Sequence, residues 1–308
     1  MKTIKPFAAA ALAAAMLCSA AACGTTDSSE GSAKDSGSST SQTQGTDLSG
    51  VKKDDAIAAL VPDSVKSDGK LTVGADTSYA PAEFIAEDNE TPVGYDVDLT
   101  KALAKVFGLE PETVTSTFDS IVPSVGSKYD LGISSFTITD ERKQAVDFVS
   151  YYKAGSTWAV RKGNPDKFDS SKLCGRKVAV QTGTTQEAEV LDANKSCPAD
   201  QKIDVMSSKL QTDVTTNVVT GKAEAFYADS PVAGYAISQT DGQLEALGED
   251  VGVAKQGIAI KKGDTQMDEA VQKAVTKLME DGTYDKILKH WGVESGAIDK
   301  AEINPAAD

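Results

Sequence analysis

Four hydroxyl side chains and one arginine occur together in the stretch ISSFTITDERKQAVDF, residues 133–148, which begins like a strand and ends like a helix. A buried strand tolerates hydroxyl groups where a partner forms hydrogen bonds with them. Ser135, Thr137 and Arg142 suit a carboxylate, because arginine can donate two parallel hydrogen bonds to it. From this stretch alone, a threonine-capped helix with a surface arginine is the alternative.

A second strand end, VAVQTGTTQEA, has the features of an anion site. Gly183 permits a tight turn, and Thr184, Thr185 and Gln186 begin a helix whose free amides and positive dipole end favour an anion. It is not a P-loop, because the second glycine and the Lys-Ser/Thr pair are missing. Ordinary capping by threonine is the alternative here too.

A third strand end, FYADSPVAG, carries a carboxylate. Ser230 and Pro231 fit the cap and the first position of the following helix, so Asp229 is surplus to the helix start. A carboxylate opposite an anion site suits an ammonium group. The three strand ends together describe a receptor for a free α-amino acid.

From residue 70 onward, short strands alternate with amphipathic helices, as a parallel α/β sheet requires. In GYDVDLTKALAKVFG, for example, Leu99, Leu103 and Phe107 share one helical face and Gly108 ends the helix. The pattern restarts after WAVRKGNP, which predicts two α/β units joined near residues 157–162. Ligands of open α/β sheets bind at the carboxyl ends of the strands, where the three polar stretches lie.

The chain has 308 residues, a length typical of about two domains, and a net charge of −15. This acidity argues against nucleic acid or an anionic membrane surface as a partner. After the N-terminal segment no run of eighteen or more uncharged apolar residues occurs, so no transmembrane helix is expected in the mature chain.

The N-terminus reads as an export signal, with Lys2 and Lys5 before the short apolar run FAAAALAAAMLCSAAA. SAAACG resembles a bacterial lipobox and predicts a lipid-modified Cys23, although Ala20 stands where a leucine is usual. A plain secretory cysteine is the alternative. We expect a signal peptide over residues 1–22 and the lipidated cysteine with a flexible tether over residues 23–68, since GTTDSSEGSAKDSGSSTSQTQGTDLSG is too polar to form a core.

Cys174 and Cys197 are the two cysteines of the folded part. Export places them in an oxidising compartment, so we expect a disulfide between them. Two free buried thiols are the alternative.

Six stretches together resemble the polar amino-acid family, family 3, of extracellular solute-binding proteins, which deliver ligands to ATP-driven (ABC) importers. The similarity runs from about Lys70 to Val293 in the family's order and spacing. The stretches are LTVGADTSYAP, VGYDVDLTKALAK, FDSIVPSVGSKYDLGISSFTITDERKQAVDF, KVAVQTGTTQE, ADSPVAGYAI and DGTYDKILKHWG.

This resemblance implies an α/β, two-lobed periplasmic-binding-protein-like fold of type II, with a hinge of two crossing strands. Lobe 1 would comprise residues 69–157 and 256–300, lobe 2 residues 158–255, and a tail residues 301–308. It also implies a monomer at the extracellular face of the cell membrane, held there by its lipid, with a free amino acid and an ABC permease as partners. No cofactor, metal or nucleic acid is expected.

The resemblance also assigns the ligand-binding residues. Carboxylate contacts fall on Ser135, Thr137, Arg142 and Thr185, and the ammonium contact on Asp229. Tyr79 and Phe118 match the aromatic residues that sandwich the ligand, and Asp76 matches a position that reads its side chain. PAEF stands where the family usually has PFEF, so Ala82 enlarges the expected pocket.

An ionised Asp76 in a pocket needs a donor or a cation as partner, which favours glutamine, arginine, lysine or histidine over glutamate or aspartate as the ligand. The alternative is that Asp76 accepts hydrogen bonds from nearby backbone amides only. An enzyme on the same scaffold, such as a dehydratase, is the rival hypothesis. His290, the one histidine of the chain, reads as a helix-end residue rather than a catalyst, and acid–base work would fall to Asp76, Glu83 or Asp229.

Overall fold

The structure is a computed structural model that describes residues 44–307. The expected signal peptide, the lipidation site Cys23 and the first part of the tether lie outside these residues. Within residues 44–307, no helix has both the length and the apolar character needed to span a membrane.

Helices and strands alternate along most of the chain, as the sequence predicts. The helices are α1 (Asp55–Ala58), α2 (Asp63–Lys66), α3 (Tyr95–Phe107), α4 (Phe118–Ile121), α5 (Arg142–Ala145), α6 (Thr185–Lys195), α7 (Gln211–Val219), α8 (Ser230–Gln239), α9 (Thr265–Glu280) and α10 (Thr283–Trp291). The strands are β1 (Lys70–Ala75), β2 (Ser78–Tyr79), β3 (Glu83–Ile85), β4 (Pro92–Val93), β5 (Glu110–Thr115), β6 (Leu131–Thr137), β7 (Val146–Arg161), β8 (Lys177–Gln181), β9 (Asp204–Ser208), β10 (Ala225–Asp229) and β11 (Leu244–Lys261).

Eight strands form one continuous hydrogen-bonded sheet in the order β5-β1-β6-β11-β7-β10-β8-β9. At one end β1 runs parallel to β5 and β6, and at the other β8 runs parallel to β9 and β10. The two parallel groups are joined by β7 and β11, which pair antiparallel from Val146 with Lys261 to Arg161 with Leu244. The sheet therefore consists of two parallel α/β units linked by two long strands.

β7 is much longer than its sequence suggests. The helix expected at the end of ISSFTITDERKQAVDF is only the single turn α5, and a strand of 16 residues begins at Val146. The run VDFVSYY is rich in β-branched and aromatic residues, which favour a strand once a neighbouring strand covers it. Pairing with β11 and β10 supplies that cover.

Helix α3 shows how local sequence sets an element that supports the cleft. Asp96 and Asp98 in its first turn favour the positive end of the helix dipole, and Gly108 ends it in the left-handed conformation, φ 73°. Its buried face, which includes Leu99 and Leu103, packs in the main core with α9 and α10. The N-terminal end of α3 thereby lies against β3.

The parallel unit that contains β8, β9 and β10 has a smaller core of its own. The Trp158 and Tyr227 rings are stacked with centroids 4.2 Å apart, and Phe168 packs beside Trp158 at 5.3 Å. Val178, Val180 and other aliphatic side chains complete this core. Other buried residues of this unit, such as Val214 and Phe226, belong to the main core together with Leu103.

The ordered structure extends beyond the expected lobe limits at both ends. Within the range expected to be tether, α1 and α2 form, and Asp54 caps α1 through hydrogen bonds from the amides of Ala56 and Ile57. In the expected tail, Ser150 and Phe148 of β7 exchange backbone hydrogen bonds with Glu302 and Asn304. Apolar side chains such as Ile57, Val61 and Ala301 are buried there, which explains the order.

The structure contains the disulfide predicted between Cys174 and Cys197, which are separated by 23 positions in sequence. Replacing both cysteines with serine should lower the free energy of unfolding by about 3 kcal/mol, because the open loop gains entropy in the unfolded chain. Urea denaturation of the wild type and the double variant would measure the loss. Equal midpoints and slopes, together with two reactive thiols in the denatured, unreduced wild type, would contradict the prediction.

Candidate ligand-binding site

The carboxyl ends of β1, β6, β8 and β10 meet at one point between the two parallel units. A cavity of about 10 Å³ lies there, room for about one water molecule. Of the eight residues proposed from the sequence, all except Asp76 line it, together with Thr184 and Gln186. The lining residues from the proposal are Tyr79, Phe118, Ser135, Thr137, Arg142, Thr185 and Asp229.

A larger open cleft of about 860 Å³ adjoins this cavity. Both spaces are bordered by Phe118, Arg142, Thr184 and Thr185. An amino acid does not fit in 10 Å³, so its entry requires the walls that meet at Arg142 to separate.

The guanidinium of Arg142 bridges the two parallel units. Nη1 donates to the carbonyl of Thr137, at 2.8 Å, and Nη2 donates to the carbonyl of Gly183, at 3.0 Å. It also lies over the rings of Phe118 and Phe136, 5.3 and 5.8 Å from their centroids. Burial lowers the pKa of Arg142 to about 10, so the group is charged at neutral pH. It is a cation held in place by a ring stack and ready to bind an anion.

Asp229 faces this cation from the end of β10. Its carboxylate accepts hydrogen bonds from Gln186 Nε2 at 2.7 Å and from Gln256 Nε2 at 2.8 Å. Burial raises the pKa of Asp229 to about 6, while hydrogen bonds from Gln186 and Tyr79 and the charge of Arg142 oppose the rise. The group is therefore ionised at neutral pH and suited to an ammonium ion.

Asp76 lies just behind the cavity and is buried, with 2% of its surface exposed. One carboxylate oxygen accepts from the amide and hydroxyl of Ser78, at 3.1 and 2.7 Å. The other accepts from the amide of Phe118 at 3.0 Å and from Gln181 Nε2 at 2.8 Å. Two of the four donors are backbone amides, as the alternative for Asp76 supposes, whereas Gln181 reaches it from the opposite unit. Burial raises the pKa of Asp76, which a cationic partner would offset.

Ser135 adopts a left-handed backbone, φ 51°, which costs roughly 1–3 kcal/mol for a non-glycine residue and persists only where its surroundings enforce it. Its amide donates to Asp96 Oδ2 at 2.8 Å, and its hydroxyl lies 3.4 Å from that of Tyr95. Asp96 therefore holds Ser135 in this conformation.

The turn at Gly183 and the start of α6 are formed as the sequence predicts. Gly183 has φ 84°, and a Cβ there would approach Asp119 Cβ to 3.1 Å. The Thr184 hydroxyl accepts from the amide of Glu187 at 3.1 Å, which makes Thr184 the cap and Thr185 the first residue of α6. Capping and ligand binding are compatible here, because the cap uses the amide of Glu187 and not those of Thr185 and Gln186.

Comparisons with known proteins identify the family of this chain. The family model of the bacterial extracellular solute-binding proteins, family 3, matches residues 71–294. The chain belongs to this family. The match confirms the resemblance inferred from the six sequence stretches.

Several relatives of this solute-binding protein are similar over most of its length. The arginine-binding protein ArgT of Corynebacterium glutamicum is 34% identical over 252 residues, 80% of this chain and 82% of ArgT. An ancestral arginine-binding protein bound to arginine is 35% identical with a TM-score of 0.68, over 72% of this chain and 98% of that one. The ancestral amino acid-binding protein AncCDT-1, a precursor of cyclohexadienyl dehydratase, is 35% identical with a TM-score of 0.67, over 76% and 99%. The two-lobed fold class is confirmed.

Sequence reasoning missed three glutamines of this solute-binding protein that hold the cleft carboxylates. Gln186 and Gln256 bind Asp229, and Gln181 binds Asp76. Gln181 and Gln256 could have been noticed, since each is a polar residue in an otherwise apolar strand, KVAVQ or QGIAI. Gln186 gave no such signal, because a glutamine in the first turn of a helix is ordinary.

We also searched the described residues for a group that could hold a metal ion. Within residues 44–307, no group of three or more histidine, cysteine or acidic side chains is placed to hold a metal ion. His290 lies near the end of α10, where its Nε2 is 2.8 Å from the carbonyl oxygen of Gln44.

Proposed function

We propose that this protein captures a free amino acid between its lobes and delivers it to an ABC permease. One observation carries the proposal: Arg142 and Asp229, oppositely charged and largely desolvated, line the same cavity. The ligand's carboxylate would bind Arg142, Ser135, Thr137 and the first turn of α6, and its ammonium group would bind Asp229. Tyr79 and Phe118 would enclose its side chain.

Within this proposal, residues 69–157 and 256–300 form lobe 1, residues 158–255 form lobe 2, and β7 and β11 are the hinge. Direct hydrogen bonds between these lobes support a closing motion around the cavity. They include Arg142 to Gly183, the Asp229 amide to Tyr79 Oη at 3.2 Å, Gln181 to Asp76, and the Gln211 amide to Ser78 Oγ at 3.0 Å. A ligand that bridges the lobes favours the closed state by the difference in its affinity for the two states.

We infer that the side chain of the ligand is basic or polar, with arginine the first candidate. Asp76 supplies a buried carboxylate, and Gln181 Oε1 is a buried acceptor to which no described group donates. A guanidinium, with five donors, could satisfy both, whereas an acidic side chain would be repelled. The arginine-binding relatives support this choice.

We also propose a binding rather than a catalytic role. The relatives reported above carry the names of binding proteins, and AncCDT-1, although a precursor of a dehydratase, is itself named an amino acid-binding protein. Asp229, the most accessible candidate for acid–base work, is occupied by Gln186 and Gln256. Incubation with amino acids should yield no product.

We expect the mature protein to be a monomer that begins at a lipid-modified Cys23 and is anchored at the extracellular face of the membrane. Stable anchoring takes two or more acyl chains, because one binds membranes only marginally. Mass spectrometry of the membrane fraction should find the modified cysteine. Unmodified protein with another N-terminus would contradict this expectation.

Arg142→Ala should weaken amino-acid binding by about 2–5 kcal/mol, tens to thousands of fold, because it removes one partner of a desolvated charge pair. Calorimetry with the twenty amino acids would first find the wild-type ligand and then compare the variants. Arg176→Ala is the matched control, since Arg176 also bonds two carbonyls, those of Asp166 and Lys167, but away from the cleft. Wild-type affinity in Arg142→Ala, or no binding by the wild type, would refute the site.

Asp76→Asn should change the ranking of ligands, because an amide removes the charge that favours a basic side chain. The wild type should bind arginine, lysine, histidine or glutamine more tightly than glutamate, and the variant should lose that margin. Asp119→Asn removes a nearby carboxylate that faces Lys209 and should leave the ranking unchanged. Competition calorimetry would measure both, and an unaltered ranking in Asp76→Asn would exclude it as the residue that reads the side chain.

A further inference from the structure

Two carboxyl groups outside the cavity lie directly behind the residues that form it. Glu83 of β3 is 0% exposed and Asp96 of α3 is 1% exposed. Glu83 Oε1 accepts from the Ser134 hydroxyl at 2.5 Å, and Asp96 Oδ2 accepts from the Ser135 amide at 2.8 Å. Both serines belong to β6, so the two carboxyls contact adjacent residues at the end of one strand.

The contact extends to β1 through Ser134. The Ser134 hydroxyl accepts a hydrogen bond from the amide of Asp76 at 3.0 Å while it donates to Glu83. Glu83 and Asp96 are thus connected, by one hydrogen bond or two, to Ser135 of the proposed carboxylate site and to the backbone of Asp76.

The second oxygen atoms of Glu83 and Asp96 indicate that one of the two carboxyl groups is protonated. Glu83 Oε2 and Asp96 Oδ1 are fully buried, and neither accepts from a described donor. The carboxyl groups of Glu83 and Asp96 lie close enough to interact with each other, and the Tyr151 hydroxyl also lies beside Asp96. Two ionised carboxylates have no donor between them, so the contact is a hydrogen bond only when one of them is protonated. Glu83 suits the donor role, because it accepts from the Ser134 hydroxyl alone among the described residues, whereas Asp96 accepts from both the amide and the hydroxyl of Ser135 and has the Tyr151 hydroxyl beside it.

We propose that Glu83 and Asp96 share one proton, donated from Glu83 Oε2 to Asp96 Oδ1, and that this pair is a positioning device for the ligand site. The protonated pair holds Ser135 in its left-handed conformation and fixes β6 against the end of β1. The consequence for ligand affinity rests on the proposed amino-acid binding; the proton itself does not.

The surroundings favour retention of this proton. The other titratable groups that face the pair are Asp76 of the β1 end, Tyr79 of β2, Tyr95 of α3, and Tyr151 and Tyr152 of β7. The charge of Asp76 opposes ionisation of Glu83. The tyrosines are neutral, and the Tyr151 hydroxyl favours the ionised form of Asp96, so the proton stays on Glu83. Burial and the charge of Asp96 raise the pKa of Glu83 well above its ordinary value, and burial raises the pKa of Asp96 to about 6.

The shared proton makes the stability of the folded protein depend on pH. The folded state binds this proton more tightly than the unfolded chain does. The proton therefore stabilises the fold fully below the ordinary pKa of a glutamate, and this stabilisation is lost as the pH rises through the pKa of Glu83 in the folded protein. Above that pH two adjacent carboxylates would repel each other and loosen Ser135. At the acid end, protonation of Asp229 near pH 6 would weaken ammonium binding independently of the pair.

A titration followed by NMR tests the proton without any ligand. In the wild type, the side-chain carboxyl carbons of Glu83 and Asp96 and the amide of Ser135 should shift together, at a pH well above the ordinary range for Glu83. Glu83→Gln keeps an acceptor for Ser134 and a permanent donor to Asp96, so the Ser135 amide should no longer shift at that pH. Asp268→Asn is the control, since Asp268 is a buried carboxyl whose pKa of about 6 depends on burial and on Asp147, Asp264 and Lys262.

Calorimetry with L-arginine over the same pH range tests the positioning role. The ratio of Glu83→Gln affinity to wild-type affinity should rise with pH above the titration, by up to about tenfold per pH unit. The titration of L-arginine itself cancels in this ratio. The Asp268→Asn ratio should stay constant.

The outcomes are separable. Carboxyl carbons of Glu83 and Asp96 that titrate at ordinary values, or a Ser135 amide that does not follow them, would overturn the shared proton. A constant affinity ratio for Glu83→Gln would overturn the positioning role. If the wild type binds none of the twenty amino acids, the proposed function fails, and the Ser135 amide in the NMR titration alone decides whether the pair positions that residue.

Discussion

The structure depends most on how it keeps charged groups ionised around a small cavity between two groups of parallel strands. Arg142 and Asp229 stabilise each other across the cavity, and each also has neutral partners: two carbonyls for the guanidinium and two glutamine amides for the carboxylate. Buried charges are tolerated only when they are paired and hydrogen-bonded. A ligand with one carboxylate and one ammonium group can replace these neutral contacts without leaving either charge alone.

The two long strands allow a ligand to enter although the charged groups around the closed cavity are paired and hydrogen-bonded. β7 and β11 carry the covalent and hydrogen-bonded connection between the parallel units, and their pairing is irregular between Leu247 and Val251 and again between Val251 and Ala254. The cavity walls, in contrast, meet through side chains and single backbone groups such as Gly183. The contacts that must break for access are therefore few and local, while the sheet stays intact.

Rigidity behind the cleft is as important as charge within it. Ser135 keeps an unfavourable backbone only because Asp96, Tyr95 and the neighbouring strands hold it, and Asp76 is fixed by four donors. A site whose groups are already oriented loses less entropy when its ligand binds. The small core around Trp158 and the Cys174–Cys197 disulfide stabilise the parallel unit that contains β8, β9 and β10, and neither depends on the ligand.

The sequence by itself determined the alternation of strands and helices, the family, the disulfide, and the residues proposed at the strand ends. The alternation and the polar strand ends follow from local pattern: apolar periodicity, helix caps, and polar residues where a buried strand stops. The family follows from the resemblance of six stretches, and the disulfide from the expected export of a chain with two cysteines in its folded part. The length of β7, the order at residues 54–66 and at the end of the chain, and the partners Gln181, Gln186 and Gln256 depend on contacts between residues far apart in sequence. Only the tertiary structure decided them, because a strand is stable when another strand covers it, and a polar side chain has a role when its partner lies within hydrogen-bonding distance. Glu83 and Asp96 show the difference most clearly: thirteen positions apart, they are two ordinary acidic residues in sequence, and in the fold both are buried and bonded to the adjacent residues Ser134 and Ser135.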